Sequence, residues 1–212
     1  MKRLLAGLSL VLLLGACETT LRADVTRFNT LSAPLTGRSF AVVADARQAG
    51  SLEFQYYAGL VGAALQDHGL LSPPAGAAPD LVVQVHYSSA GSHTEVYSEP
   101  DGGYWGWGWY GWGGWGPYPF GPEVRSTTYY AQLLQVEIFD GPAWRAGQHN
   151  MLFQGRAVGD ITVNDVNIAL PALVKALFKD FPGNSGQTER IRVPLSGDLQ
   201  PAAGAPKAGV AA

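Results

Sequence analysis

Residues 51–69, SLEFQYYAGLVGAALQDHG, and residues 80–88, DLVVQVHYS, decide the fold of this chain. In the first, Tyr57, Leu60, Val61, Ala64, Leu65 and His68 recur at spacings of three and four, which places them on one face of a helix. Ser51 has the side chain of an N-cap, and Gly69 has the backbone freedom of a stop. In the second, Leu81, Val83, Val85 and Tyr87 alternate with Gln84 and His86, the period of a strand buried on one face. Upstream, RSFAVVAD at 38–45 reads as another strand. A strand–helix–strand order makes the two strands parallel when they share a sheet, through a right-handed crossover.

Downstream, Thr127–Asp140 reads as a longer strand with Leu134, Val136 and Ile138 opposite Gln135 and Glu137. Asp140-Gly141-Pro142 supplies turn chemistry, and His149–Val158, with Met151, Phe153 and Ala157 on one face, is the antiparallel return. A second helix is predicted over Asn167–Lys179, with the stripe Leu170, Leu173, Val174, Leu177 and Phe178. Pro171 belongs in its first turn or marks its start, Asn164 or Asn167 serves as its cap, and Phe181-Pro182-Gly183 ends it. Thr188–Leu195 alternates through Ile191, Val193 and Leu195 as a last short strand. The expected architecture is α+β: two layers, a mixed β-sheet of about five strands, and two helices packed on one face. The domain is expected over 37–195. Residues 18–36 read as a tether in which Val25 and Phe28 join an edge strand, and 196–212, without apolar period, as a disordered tail.

The N-terminus has a different logic. In MKRLLAGLSLVLLLGAC, Lys2 and Arg3 precede an apolar run from Leu4 to Leu14 and the small residues Gly15 and Ala16. This is the build of a secretory signal peptide over residues 1–16. The run is shorter than the roughly 20 residues that span a bilayer. Cys17 is the one cysteine of the chain, so an internal disulfide is impossible and an exported free thiol would be a liability. Leu14-Gly15-Ala16-Cys17 resembles a bacterial lipobox, which implies acylation of Cys17 with fatty acids such as palmitate. Glu18 rather than Asp after the cysteine implies, on the same resemblance, the outer membrane. Loss of Lys2 and Arg3 with the leader leaves 12 basic against 17 acidic side chains, a net charge of −5. A nucleic-acid partner is therefore not expected, and attachment to the membrane falls to the lipid anchor.

A Trp/Gly-rich insertion, DGGYWGWGWYGWGGWGPYPFGP at 101–122, holds five of the six tryptophans and nine glycines. If extended, Trp105, Trp107 and Trp109 share a side opposite Gly106 and Gly108. Tyr104, Trp105, Trp107, Trp109, Tyr110, Trp112 and Trp115 are the candidate contact residues. The area they offer for burial and the entropy of ordering them are of similar size, so the loop is expected to gain order on meeting a partner. Four roles are open: a low-complexity insertion folded on its own sheet, a membrane-interface contact, a protein-partner anchor, and stacking on an envelope glycan. Gly106-Trp107-Gly108-Trp109-Tyr110-Gly111 satisfies G-x-G-x-x-G, but neither the preceding apolar strand nor the following helix of a dinucleotide site is predicted.

No catalytic motif is found. His68, His86, His93 and His149 are too far apart to ligate at helical spacing, and Asp160, Asn164 and Asp165 lack the pattern of a calcium loop. The lipobox, the helix LEFQYYAGLVGAALQDHGL, the strands DLVVQVHY and LFQGRA, and the helix ending in KDFPG resemble the bacterial lipoprotein family called domain of unknown function 4136 (DUF4136), over about residues 25–195. That family often carries Trp where this chain has Phe153. The resemblance implies an envelope lipoprotein with a small α+β domain and no catalytic residue or cofactor to transfer. The expected function is an outer-membrane-anchored periplasmic module, non-enzymatic and structural or interacting. The alternative is a glycan- or lipid-binding protein of the envelope that uses the Trp loop.

Overall fold

The computed structural model describes residues 20–31, 35–99 and 123–195. In chain order the elements are β1 (Thr20–Asn29), β2 (Phe40–Val43), α1 (Leu52–Asp67), β3 (Leu81–Glu99), β4 (Glu123–Asp140), α2 (Gly141–Arg145), β5 (Met151–Ile161), α3 (Val166–Phe178) and β6 (Thr188–Pro194). They form an α+β structure around one six-stranded mixed sheet of order β2-β3-β4-β5-β1-β6. β2 and β3 are parallel, joined through α1, and every other neighbouring pair is antiparallel. The alternation that predicts the strands also assigns their faces. Leu81, Val83 and Val85 of β3 and Leu134, Val136 and Ile138 of β4 are buried against α1 and α3.

Both long helices start for local reasons, and α1 also stops for one. The Ser51 hydroxyl accepts the Phe54 N–H at 3.2 Å, and Gly69 follows α1 at φ +83. α1 buries Tyr57, Leu60, Val61 and Leu65, and the Tyr57 hydroxyl donates to Asn167 Oδ1 at 2.6 Å, tying α1 to the first turn of α3. Burial and the neighbouring Glu53 carboxylate push the Tyr57 hydroxyl well above the ordinary tyrosine value. α3 is capped by Asp165, which accepts the Asn167 N–H at 2.9 Å, rather than by Asn164 or Asn167. Because α3 begins at Val166, Pro171 lies inside the helix and not in its first turn.

Three further departures concern how the sheet is completed. Residues 20–29, expected within a tether with at most an edge strand, form β1 between β5 and β6. Leu21, Ala23 and Val25 enter the core, while Phe28 is 52% exposed on the other face. The Asp140-Gly141-Pro142 turn is instead the start of the short helix α2, with Asp140 accepting the Ala143 N–H at 3.0 Å. β3 and β4 also run past their predicted limits, to Glu99 and from Glu123.

Arg27 is 1% exposed on the helix-facing side of β1. Its Nε donates to Leu177 O at 2.9 Å, and one terminal nitrogen donates to Ala176 O at 3.1 Å and Lys179 O at 2.7 Å. The other reaches Glu189 at 3.2 Å. These carbonyls lie in the last turn of α3, where a helix lacks internal donors and carries partial negative charge. Arg27 is thus a side-chain cap supplied by a strand from the far end of the sequence. Gly183, at φ +71, leaves room for it: a Cβ there would stand 2.9 Å from Arg27 Cδ.

Candidate functional site

Cys17 and the contact-loop residues Tyr104, Trp105, Trp107, Trp109, Tyr110, Trp112 and Trp115 lie outside the described residues, as does the 196–212 tail. The structure does describe the points at which these segments join the fold. β1 begins at Thr20, three residues after Cys17. β3 and β4 run together as an antiparallel ribbon up to the pair Glu99↔Glu123, the two ends of the Trp-rich insertion.

The register places both junctions at one end of the sheet. Tyr130 of β4 pairs with Ile161, the last residue of β5, and Ala23 of β1 pairs with Gly159. The start of β1, the end of β5 and the end of β6 therefore share a level. From Tyr129 back to Glu123, β4 pairs only with β3, so the hairpin continues beyond this level as a two-stranded arm. At its base an open cleft of 450 Å³ is lined by Thr20, Tyr129, Ile161, Val163, Ile168 and Leu195 among others. Arg22 and Arg192 stand directly opposite each other on β1 and β6, both exposed, beside this level. The next pair on this face, Asp24 and Arg190, forms a two-pronged ion pair at 2.7 and 3.0 Å. The Arg190 hydrogen bond holds the Asp24 carboxyl below the ordinary carboxylate value.

The sheet face away from α1 and α3 offers a second arrangement. His86, Gln135, Arg156, Thr26 and Thr188 are consecutive cross-strand partners over five strands and make one polar row. Gln84, Glu137, Gln154 and Phe28 make the adjacent one. Glu137 accepts from Gln135 at 2.8 Å and from Gln154 at 3.1 Å, and lies 3.9 Å from His86. Asp45, 3.9 Å from the other His86 nitrogen, has a carboxyl below its ordinary value. Desolvation opposes that shift, and the N–H groups of Gln48 and Arg47 outweigh it. A shallow cleft of 250 Å³ lies among Thr26, Phe28, Gln135, Gln154 and Arg156. Its amides, guanidinium and half-exposed ring suit a polar, hydroxylated ligand.

The histidines are dispersed. His68 points its Nε2 at Phe178 O, 2.8 Å away, and so faces the carboxyl end of α3. His93 stacks on Tyr129, and His149 packs edge-on to Trp144. Among the described residues no three of His, Cys, Asp or Glu are grouped to hold a metal ion, and no helix is long and apolar enough to cross a membrane.

The family model described as domain of unknown function (DUF4136) matches residues 24–183. The chain belongs to the DUF4136 family. The matched span takes in most of β1, so the family's domain includes the strand that the sequence reading placed in a tether. No curated protein matches this DUF4136 chain. Among solved structures, a PDZ domain protein from Parabacteroides distasonis ATCC 8503 is similar at 12% identity and a TM-score of 0.48, over 90% of this chain and 42% of that one. The DUF4136 chain therefore spans less than half of that protein's length. A PelC dodecamer from Paraburkholderia phytofirmans is similar at 11% identity and a TM-score of 0.38, over 73% of this chain and 94% of that one.

Two features of this DUF4136 domain escape sequence reasoning. Arg27 carries no apolar signal, although its alternation with Leu21, Ala23 and Val25 marks its face. Gln132, fully buried on β4 with its Nε2 3.4 Å from Asn164 Oδ1, continues the inward parity of Leu134 and Val136.

Proposed function

We infer that this DUF4136 protein is a non-enzymatic interaction module of the bacterial cell envelope. It is held by acylated Cys17 in the inner leaflet of the outer membrane and faces the periplasm. The observation that carries this reading is the position of β1. A strand inside the sheet starts three residues after Cys17, so an anchor there is joined to the folded domain almost directly. Two or more acyl chains anchor a protein stably, where one holds it marginally. The leader sequence, the lipobox-like Leu14-Gly15-Ala16-Cys17 and the Trp-rich segment support the same location.

Substitution Cys17→Ser is expected to move the protein from the membrane to the soluble fraction while its unfolding midpoint stays unchanged, because residue 17 lies before the first strand. Fractionation of wild type and variant, with mass spectrometry of the N-terminal peptide, checks this. Recovery of the variant in membranes would overturn the anchor.

A glycan-binding role has one observation in its favour, the cleft in which Phe28 lies beside Gln135, Gln154 and Arg156. On that reading, peptidoglycan fragments protect the domain against thermal unfolding, and Arg156→Ala together with Phe28→Ala removes the protection. Equal melting with and without fragments would exclude it.

A further inference from the structure

We propose that the end of the sheet bearing the β3–β4 arm is a lipid-docking surface, so that the protein lies against the bilayer that holds its anchor. The proposal rests on acylation of Cys17 and goes beyond it by naming the surface that meets the lipid.

Reach decides the matter. Three residues from Thr20 back to Cys17 span at most about 11 Å when fully extended. The arm extends past the start of β1 by the six residues 123–128, or about 20 Å at the usual rise. Sheet twist of about 20–25° per step turns the arm by about 45° over the two steps from β1 through β5 to β4, which leaves roughly 14 Å of reach along β1. The arm therefore projects at least as far as the anchor's own attachment point. With Cys17 seated at the lipid interface and β1 directed at the bilayer, full extension of the intervening residues still leaves the tip of the described arm at that interface.

The side chains at this end suit that contact. Val96 and Val124 on the arm are 64% and 63% exposed, and Val163 and Ile168 are exposed beside the cleft at its base. A two-stranded ribbon with uncovered apolar side chains is marginal in water and gains from a surface that covers it. Arg22 and Arg192 add charge of the right sign. Directly opposed like charges on neighbouring strands are unfavourable, neither arginine has an ionic partner among the described residues, and phospholipid phosphates would neutralise both.

The test uses the full acylated protein, in which Cys17 is blocked by its lipid and an introduced cysteine is the sole free thiol. Val96→Cys, Val163→Cys and Gln148→Cys are each labelled with an environment-sensitive fluorophore. Gln148 lies in the exposed β4–β5 connection at the opposite end of the sheet. The labelled proteins are reconstituted into vesicles of phosphatidylethanolamine and phosphatidylglycerol carrying nitroxide-labelled lipid. Emission from positions 96 and 163 is expected to shift to the blue and fall severalfold, with position 148 unaffected. Position 163 serves independently if a label at 96 disrupts the arm. Vesicle-bound protein with 96 and 163 unquenched, or quenched no more than 148, would overturn the docking and leave the anchor standing. Protein that fails to float with the vesicles would overturn both.

Discussion

Replacement of Arg27 by alanine is expected to cost about 3–5 kcal/mol of folding stability, as much as truncating a buried core aromatic. The guanidinium is the shared donor for three carbonyls at the end of α3, from Ala176, Leu177 and Lys179. A hydrogen bond from a charged donor contributes about 1.5–3 kcal/mol, and a buried carbonyl left unmatched loses its water without replacement. Alanine also opens a cavity the size of the missing side chain in the layer between sheet and helix. At about 2–4 °C per kcal/mol for a domain of this size, the midpoint should fall by on the order of 10 °C. Lysine is not a conservative substitute, because an ammonium lacks the planar fork that reaches three acceptors at once, so Arg27→Lys should recover only part of the loss. Glu189 is partly exposed, and Glu189→Gln should cost less than about 1 kcal/mol. Urea unfolding at constant slope measures all three. A loss on Arg27→Ala as small as that for Glu189→Gln would show that the cap does not hold α3.

Substitution of Gly141 by alanine is the second large effect, about 2–3 kcal/mol. A Cβ at this position would stand 2.3 Å from Pro79 O and 2.8 Å from both the carbonyl carbon and the oxygen of Asp80. All three are backbone atoms, so no rotamer change relieves the contact. The Gly141 N–H also donates to Asp80 O at 2.8 Å, which fixes the spacing between the start of α2 and the entry to β3. Pushing them apart strains the Asp80 carboxylate, which accepts the Ser39 N–H and hydroxyl at 2.8 and 2.7 Å and is held below its ordinary pKa by those bonds. Gly147 is the informative comparison. It has a left-handed φ of +76 but open space around it, so Gly147→Ala costs only the backbone strain of about 1 kcal/mol. Equal losses at the two glycines in urea titrations would show that close approach is not what position 141 requires.

These two residues also mark where the sequence was and was not legible. Gly141 was readable as turn chemistry, yet it is needed for the closeness of two backbones that are distant in sequence. That distance of approach leaves no signal in Asp140-Gly141-Pro142 itself. In β1, Val25 and Phe28 were the apolar residues that suggested an edge strand, but their separation of three puts them on opposite faces of the sheet. The inward series is Leu21, Ala23, Val25 and Arg27, and its last member looks like a surface residue until the end of α3 is brought over it. Strand order hid β1 as well: its neighbours β5 and β6 lie more than a hundred residues away along the chain. The candidate site divides the same way. The residue types at Cys17 and in the Trp-rich segment were visible at once, whereas their attachment to one end of the sheet follows from register.

By itself the sequence determined the elements whose apolar residues repeat with the period of their own backbone. These were α1 with Tyr57, Leu60, Val61 and Leu65, the second long helix, and the strands through Leu81–Val85 and Leu134–Ile138. Burial on one face is a local pattern, so a local reading recovers it. It also determined the family and the α+β class. Only the tertiary structure decided that β1 belongs inside the sheet, that Arg27 points inward, and that the arm and the start of the domain project from the same end. Each of these depends on which distant backbone lies alongside: carbonyls that need a donor, or strands whose pairing sets a common level. No single stretch of chain contains that information.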